Sequence, residues 1–268
     1  MFRHKFTLGL LILGLILAGC SSPATVGSPT DTPQPADTAT LEPTEPPLPT
    51  DTPPPVPTDI EIPTEIPADT ATPLPEGVLF RDDFEGSIQP EWEWENEVSD
   101  RWAITEEGWL LIIGEPPSLL GDGTQSNLLW HSLPAGDFVI TVHLQTIPFE
   151  NFHQSTIYIY EDQDNYIALN RGYCDICSTG GGGIYMEYKI GGNFDAYMLA
   201  TDVEDLYLRL ESKDDIISGY YAFTEGDWQR LGRFGNYFEF TRVGIGVSNV
   251  GSEEDVVGRF DYFEISLP

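Results

Sequence analysis

The stretch that decides the fold is Phe138-Val139-Ile140-Thr141-Val142-His143-Leu144. Its even-numbered positions carry Phe, Ile, Val and Leu, with Thr141 and His143 between them. Strand side chains alternate between two faces, so this run has one apolar and one polar face. Thr156-Ile157-Tyr158-Ile159-Tyr160 repeats the pattern, with Ile157 and Ile159 set against Tyr158 and Tyr160. In Tyr207-Leu208-Arg209-Leu210-Glu211 the Leu residues face one way and Tyr207, Arg209 and Glu211 the other.

Similar short runs continue along the chain: Trp109 to Ile113, Tyr166 to Leu169, Ile184 to Ile190, Ile216 to Phe223, Val243 to Val247 and Phe260 to Ile265. Turn formers divide many of them, among them Gly121-Asp122-Gly123, Asp162 to Asn165, Gly191-Gly192-Asn193, Asp214-Asp215 and Glu225-Gly226-Asp227. No stretch keeps a helical period. Short strands at regular spacing predict an all-β, two-sheet antiparallel sandwich over residues 77–268. That segment holds all six Trp and only six of the 22 Pro.

Upstream the composition changes abruptly. Residues 21–76 contain 16 Pro, 12 Thr and ten acids, with no Lys, Arg or aromatic residue. Such a segment buries too little apolar surface to offset its ordering entropy, so it reads as a disordered linker. At ~3.1 Å per residue its extended reach is roughly 170 Å. Residues 1–20 read as a lipoprotein signal peptide. Arg3, His4 and Lys5 precede an apolar run from Phe6 to Leu17, which is shorter than the ~20 residues that span a bilayer. The run ends Leu17-Ala18-Gly19-Cys20, which resembles the bacterial lipobox, in which the Cys is lipidated. The chain is therefore expected to be exported and held to the membrane or cell surface by lipid on Cys20 alone.

In an exported protein Cys174 and Cys177 read as a local disulfide. Forty-four acids against 12 Lys plus Arg give a net charge of −32. That balance argues against nucleic acid as a partner.

The order of motifs in the domain resembles the concanavalin A-like lectin/glucanase superfamily. The resemblance rests on Leu79-Phe80-Arg81-Asp82-Asp83-Phe84 with Trp92, Tyr158-Ile159-Tyr160-Glu161-Asp162, Leu208-Arg209-Leu210-Glu211, Gly226-Asp227-Trp228 and Phe260-Asp261-Tyr262-Phe263. It implies a jelly roll with one concave face. It also implies a structural Ca²⁺ tying the first strand to the last, with Asp83 and Asp261 at the matching positions. The Glu-x-Asp-x-x-Glu motif of the superfamily's glucanases is missing, and Glu161 and Glu187 stand isolated, so no catalytic residues are assigned. His143 and His153 read as ordinary strand and loop residues, and Trp102, Trp109 and Trp228 as packing residues.

Sugars are gripped by aromatic faces and forked polar groups. His143, Tyr158, Tyr160, Arg209 and Tyr220 supply these on the predicted polar face. Tyrosines at period two also pack simply across strands. The expectation is a tethered module that binds a poly- or oligosaccharide. The alternatives are an envelope scaffold or protein-interaction domain, and a glycoside hydrolase with an unrecognised acid pair.

Overall fold

The computed structural model describes residues 73–116, 123–236 and 239–268. Cys20 and the expected linker up to residue 72 lie outside the described residues. Among the described residues there are fifteen strands and no helix. They form two antiparallel sheets. The first runs β13 (Gln229–Gly235), β12 (Ile216–Ala222), β11 (Asp205–Lys213), β6 (Phe138–Thr146), β15 (Val256–Ser266), β4 (Leu110–Gly114), β3 (Trp102–Ile104), and β1 (Val78–Asp82) also pairs with β15. The second runs β10 (Asn193–Ala200), β9 (Gly181–Ile190), β8 (Asn165–Cys174), β7 (Gln154–Asp162), β14 (Arg242–Ser248), β5 (Leu128–Ser132), β2 (Glu93–Glu95). The predicted sandwich is the observed one.

Alternation sets the layer between the sheets. Ile140, Val142 and Leu144 of β6 and Leu208 and Leu210 of β11 are fully buried in one core cluster. Ile157 and Ile159 of β7 and Val243 and Ile245 of β14 meet them from the second sheet. Each such side chain contributes about 1.5–3 kcal/mol on burial. Cys174, the last residue of β8, is joined to Cys177 as a disulfide, where the sequence places one.

One expectation is corrected. β6 and β11 belong to the first sheet and β7 to the second. The five residues read as one sugar-binding face therefore lie on two opposite faces. His143, Arg209 and Tyr220 are on the outer side of the first sheet; Tyr158 and Tyr160 are on the outer side of the second. Alternation fixes inside and outside, but it does not say which sheet a strand joins.

The opening loop after β1 is pinned by Asp82, which is buried. Its carboxylate accepts hydrogen bonds from Phe84 N (2.9 Å), Gln89 N (2.9 Å) and Trp92 Nε1 (2.8 Å). Trp92 then packs edge-on against Phe80 and Phe263, closing this end of the core. Asp82→Ala strands three donors, two of them main-chain, at a cost of about 3 kcal/mol. The expected melting temperature is lower by roughly 6–12 °C. Calorimetry checks this, and a shift under about 2 °C would contradict the role given to Asp82.

Candidate functional site

On the outer face of the first sheet, a network of polar groups around His143 and Arg209 satisfies itself. His143 Nδ1 lies 2.9 Å from Asp261 Oδ2, and its Nε2 lies 2.7 Å from Asp205 Oδ1. Its ring stacks on Tyr207 at 4.3 Å and meets Trp109 edge-on at 5.1 Å. Gln145 Nε2 donates to Asp205 Oδ2. Arg209 donates from Nε to Thr141 Oγ1 and lays its guanidinium 3.9 Å from the centre of the Trp228 ring. Tyr220 stands opposite Arg209 across β11 and β12. A cleft of about 730 Å³ opens beside this network, walled by Leu111, Val257, Ile147 and Phe149. Two of its polar lining residues, Gln145 and Asp205, bond each other.

The residues proposed for Ca²⁺ are engaged elsewhere. Asp83 Oδ1 takes Arg81 Nη2 at 2.7 Å, and Asp261 takes His143. Arg81 also bridges to Glu264 and covers the Tyr262 ring, so a guanidinium already ties β1 to β15. Among the described residues no three His, Cys, Asp or Glu form a metal-binding group. Ca²⁺ takes six to eight oxygens, so backbone carbonyls would have to supply most of a shell around the Asp83 and Asp261 carboxylates.

The outer face of the second sheet is different. Leu128, Trp130, Tyr158, Tyr160, Tyr166 and Ala168 form a second buried cluster there. Trp130 packs on Tyr160 at 5.0 Å, and the Arg242 guanidinium covers both rings. Tyr160 is thus a packing residue on this face. Tyr158 reaches further along it: its hydroxyl donates to Gln125 Oε1 at 3.1 Å, which also accepts from Ser248 Oγ.

Beside Tyr158 the pairing of β7, β8 and β9 sets a row of polar groups. Thr156 lies opposite Asn170, and Asn170 opposite Tyr185. Ala168 separates Tyr158 from Glu187. Gln154 Nε2 donates to Glu187 Oε1 at 2.8 Å. The register puts Asn170 at the midpoint of that diagonal, beneath the Gln154–Glu187 bridge. Gln125, Thr156 and Asn170 are each fully buried. Yet Gln125 Nε2 has no hydrogen-bond partner, and Thr156 Oγ1 and the Asn170 amide make no well-formed bond, with only the Tyr158 hydroxyl and the Glu187 carboxyl in reach of them. An unmet buried group costs about 1–3 kcal/mol, so four on one face form a concentrated set of donors and acceptors. Burial pushes the Glu187 carboxyl up to about 7, against the opposing pull of the Asn170 and Gln154 amides. Burial also raises the phenols of Tyr158 and Tyr185, so both stay neutral.

Sequence reasoning reached Tyr158 and missed Gln125, Gln154, Thr156 and Asn170. The signal was present in the hairpin. Tyr160 pairs with Tyr166 around the Asp162–Asn165 turn, and counting back from there sets Thr156 against Asn170.

Residues 81–266 match the family described as the beta-xylosidase C-terminal concanavalin A-like domain. The chain belongs to that family. No curated protein matches it significantly. Among solved structures, this concanavalin A-like domain is similar to the GH43 protein BlXynB of Bacillus licheniformis, at 20% identity and a TM-score of 0.63, covering 70% of this chain and 39% of that one. It is similar to the xylan beta-1,4-xylosidase of Bacillus halodurans, at 20% identity and 0.59, over 76% and 41%. A beta-glucanase of Bacillus licheniformis matches at 10% identity and 0.53, over 72% and 100%. At these identities the likeness concerns the fold, and the chain spans about two fifths of the length of the two GH43-type proteins.

The Glu187 environment has a measurable consequence. The folded protein holds this proton more tightly than the unfolded chain, whose carboxyl titrates near 4.5. The contribution of Glu187 to stability is therefore full below about pH 4.5 and is lost as pH rises through about 7. Glu187→Gln should melt close to wild type at pH 5 and above it at pH 8. Equal melting temperatures at pH 8 would contradict the buried setting.

Proposed function

We propose that this concanavalin A-like domain binds a neutral or acidic poly- or oligosaccharide on the outer face of its second sheet. The observation that carries the reading is the set of unmet buried groups at Gln125, Thr156 and Asn170, beside Glu187 and Tyr158. Sugar hydroxyls both donate and accept, which is what such a mixed set requires. The flanking Trp130, Tyr158 and Tyr166 lower the local dielectric, and hydrogen bonds made there are stronger than in water. Xylosidase and glucanase relatives support a carbohydrate role in general terms. The outer face of the first sheet is the weaker candidate, because its polar ends already bind one another.

Binding is favoured over hydrolysis. Glycosidases set two carboxylates about 5–9.5 Å apart. The outer-face neighbours of Glu187 on its own and adjacent strands are Tyr185, Lys189, Ala168 and Ala196, with no second carboxylate among them.

The N-terminal features complete the reading as a surface module. Lipid on Cys20 anchors the chain, and the Pro/Thr-rich segment holds the domain away from the membrane. Palmitate should label the wild-type chain in its host membrane and leave Cys20→Ala unlabelled. Equal labelling of both would remove the anchor.

Asn170→Ala separates function from folding. It deletes a buried amide that has no well-formed hydrogen bond, so its melting temperature should stay within about 3 °C of wild type, the lost penalty offsetting the small void. Binding on a glycan array should fall at least about tenfold, equivalent to one or two hydrogen bonds. Undiminished binding by this variant would rule out the second-sheet site.

A further inference from the structure

We infer that Glu187 is the specificity-determining residue of this face, admitting uncharged sugars and turning uronic acids away. The inference rests on the carbohydrate reading above and narrows it.

Three arrangements carry it. First, Glu187 sits between two amides. Gln154 Nε2 donates to Oε1 at 2.8 Å, and the Asn170 amide also reaches the carboxyl. Asn170 is fully buried and Glu187 half-buried, so a sugar that approaches the Asn170 amide meets the Glu187 carboxyl.

Second, no cation on this face is free to receive a ligand carboxylate. Lys189, two residues along β9, donates to Gln163 O and lies 3.2 Å from Asp164 Oδ1. Arg242 lies 2.6 Å from Glu95 Oε2 and is stacked on Trp130 and Tyr160. Every other outer-face neighbour is uncharged: Gln154, Thr156 and Tyr158 on β7; Tyr166, Ala168 and Asn170 on β8; Tyr185 on β9; Ala196 and Met198 on β10. A uronate entering here meets one carboxyl and no counter-charge.

Third, Glu187 is half-buried beside the fully buried Asn170 and Thr156, where like charges repel more strongly than in water. The three tyrosines keep their protons, since burial raises each of them. Glu187 is thus the group whose ionisation changes the charge of the site near neutral pH, and its carboxyl titrates at about 7. A uronate is ionised throughout that range. Below the Glu187 transition a protonated carboxyl can donate to it; above the transition the two repel. Discrimination against uronates should therefore sharpen with rising pH.

The test uses the full chain, titrated at pH 6 and pH 8. The probes are xylohexaose, cellohexaose and mannohexaose, beside hexagalacturonate and xylohexaose bearing a glucuronate branch. Wild type should bind a neutral probe at least about tenfold more tightly than the uronates at pH 8, with a smaller ratio at pH 6. In Glu187→Gln, which keeps the shape and removes the charge, the ratio should fall to within about threefold and become independent of pH. Uronates bound by wild type as tightly as neutral probes would overturn the inference. So would a ratio unchanged in Glu187→Gln, even with sugar binding intact. Failure of all five probes at both pH values would instead remove the carbohydrate reading, and this inference with it. The wild-type pH comparison needs no variant and stands by itself.

Discussion

The whole domain depends on the apolar layer between its two sheets. Ile140, Val142 and Leu144 from one side and Ile157, Ile159, Val243 and Ile245 from the other fill it, and none is exposed. Because strand side chains alternate strictly, each inward residue forces its neighbours outward. A one-residue slip in any of these strands would turn its apolar set to solvent and its polar set into the core. The layer thus fixes register, and register fixes which polar groups share a face. All the chemistry of the domain is in consequence written on the outer faces.

Those two faces resolve their polarity in opposite ways. On the first sheet His143, Arg209 and Arg81 each find partners close by. His143 sits between two carboxylates, Arg209 between Thr141 and Trp228, and Arg81 between Asp83 and Glu264. The result is a stitched surface that stabilises strand pairing and leaves little for a ligand to satisfy. The second sheet carries an apolar cluster of its own around Trp130 and Tyr158, which removes water from the neighbouring strands. Desolvation there raises the Glu187 carboxyl and makes each unmet group at Asn170 and Thr156 costly. Burial and incomplete pairing on one face are the opposite of what stability alone would favour.

Much of the architecture was legible in the sequence. All nine quoted apolar runs fall on strands, and the in–out assignment of β6, β7 and β11 holds residue by residue. Strand order was not legible, because period two carries no information about which sheet a strand enters. That is why His143 and Tyr158 were read as sharing a face. Edge elements were lost for a different reason. β3 has three residues, too few for a pattern, and β10 exposes Phe194, Tyr197 and Met198 without a buried side to betray it. Gln125 was hidden because it reaches the face from the segment before β5, at a distance in sequence that only the folded chain closes.

The polar row on β7 and β8 is bordered by small residues. A Cβ at Gly246 would come within 2.6 Å of Gln125 Nε2, and one at Gly172 within 2.8 Å of Asn170 Oδ1. Ala168 lies between Tyr158 and Glu187, and Ala196 lies beside Glu187 on β10. Valine or isoleucine would suit a strand better at each of these positions. Larger side chains there would crowd the amides and the carboxyl, or cover them with apolar surface. The sequence forgoes β-propensity at four places around one group of polar atoms. Stability alone gives no reason for that pattern, since an apolar row would pack well and leave nothing unpaired. The small neighbours make room for the Gln125 and Asn170 amides themselves, which is the first condition that the proposed binding face has to meet.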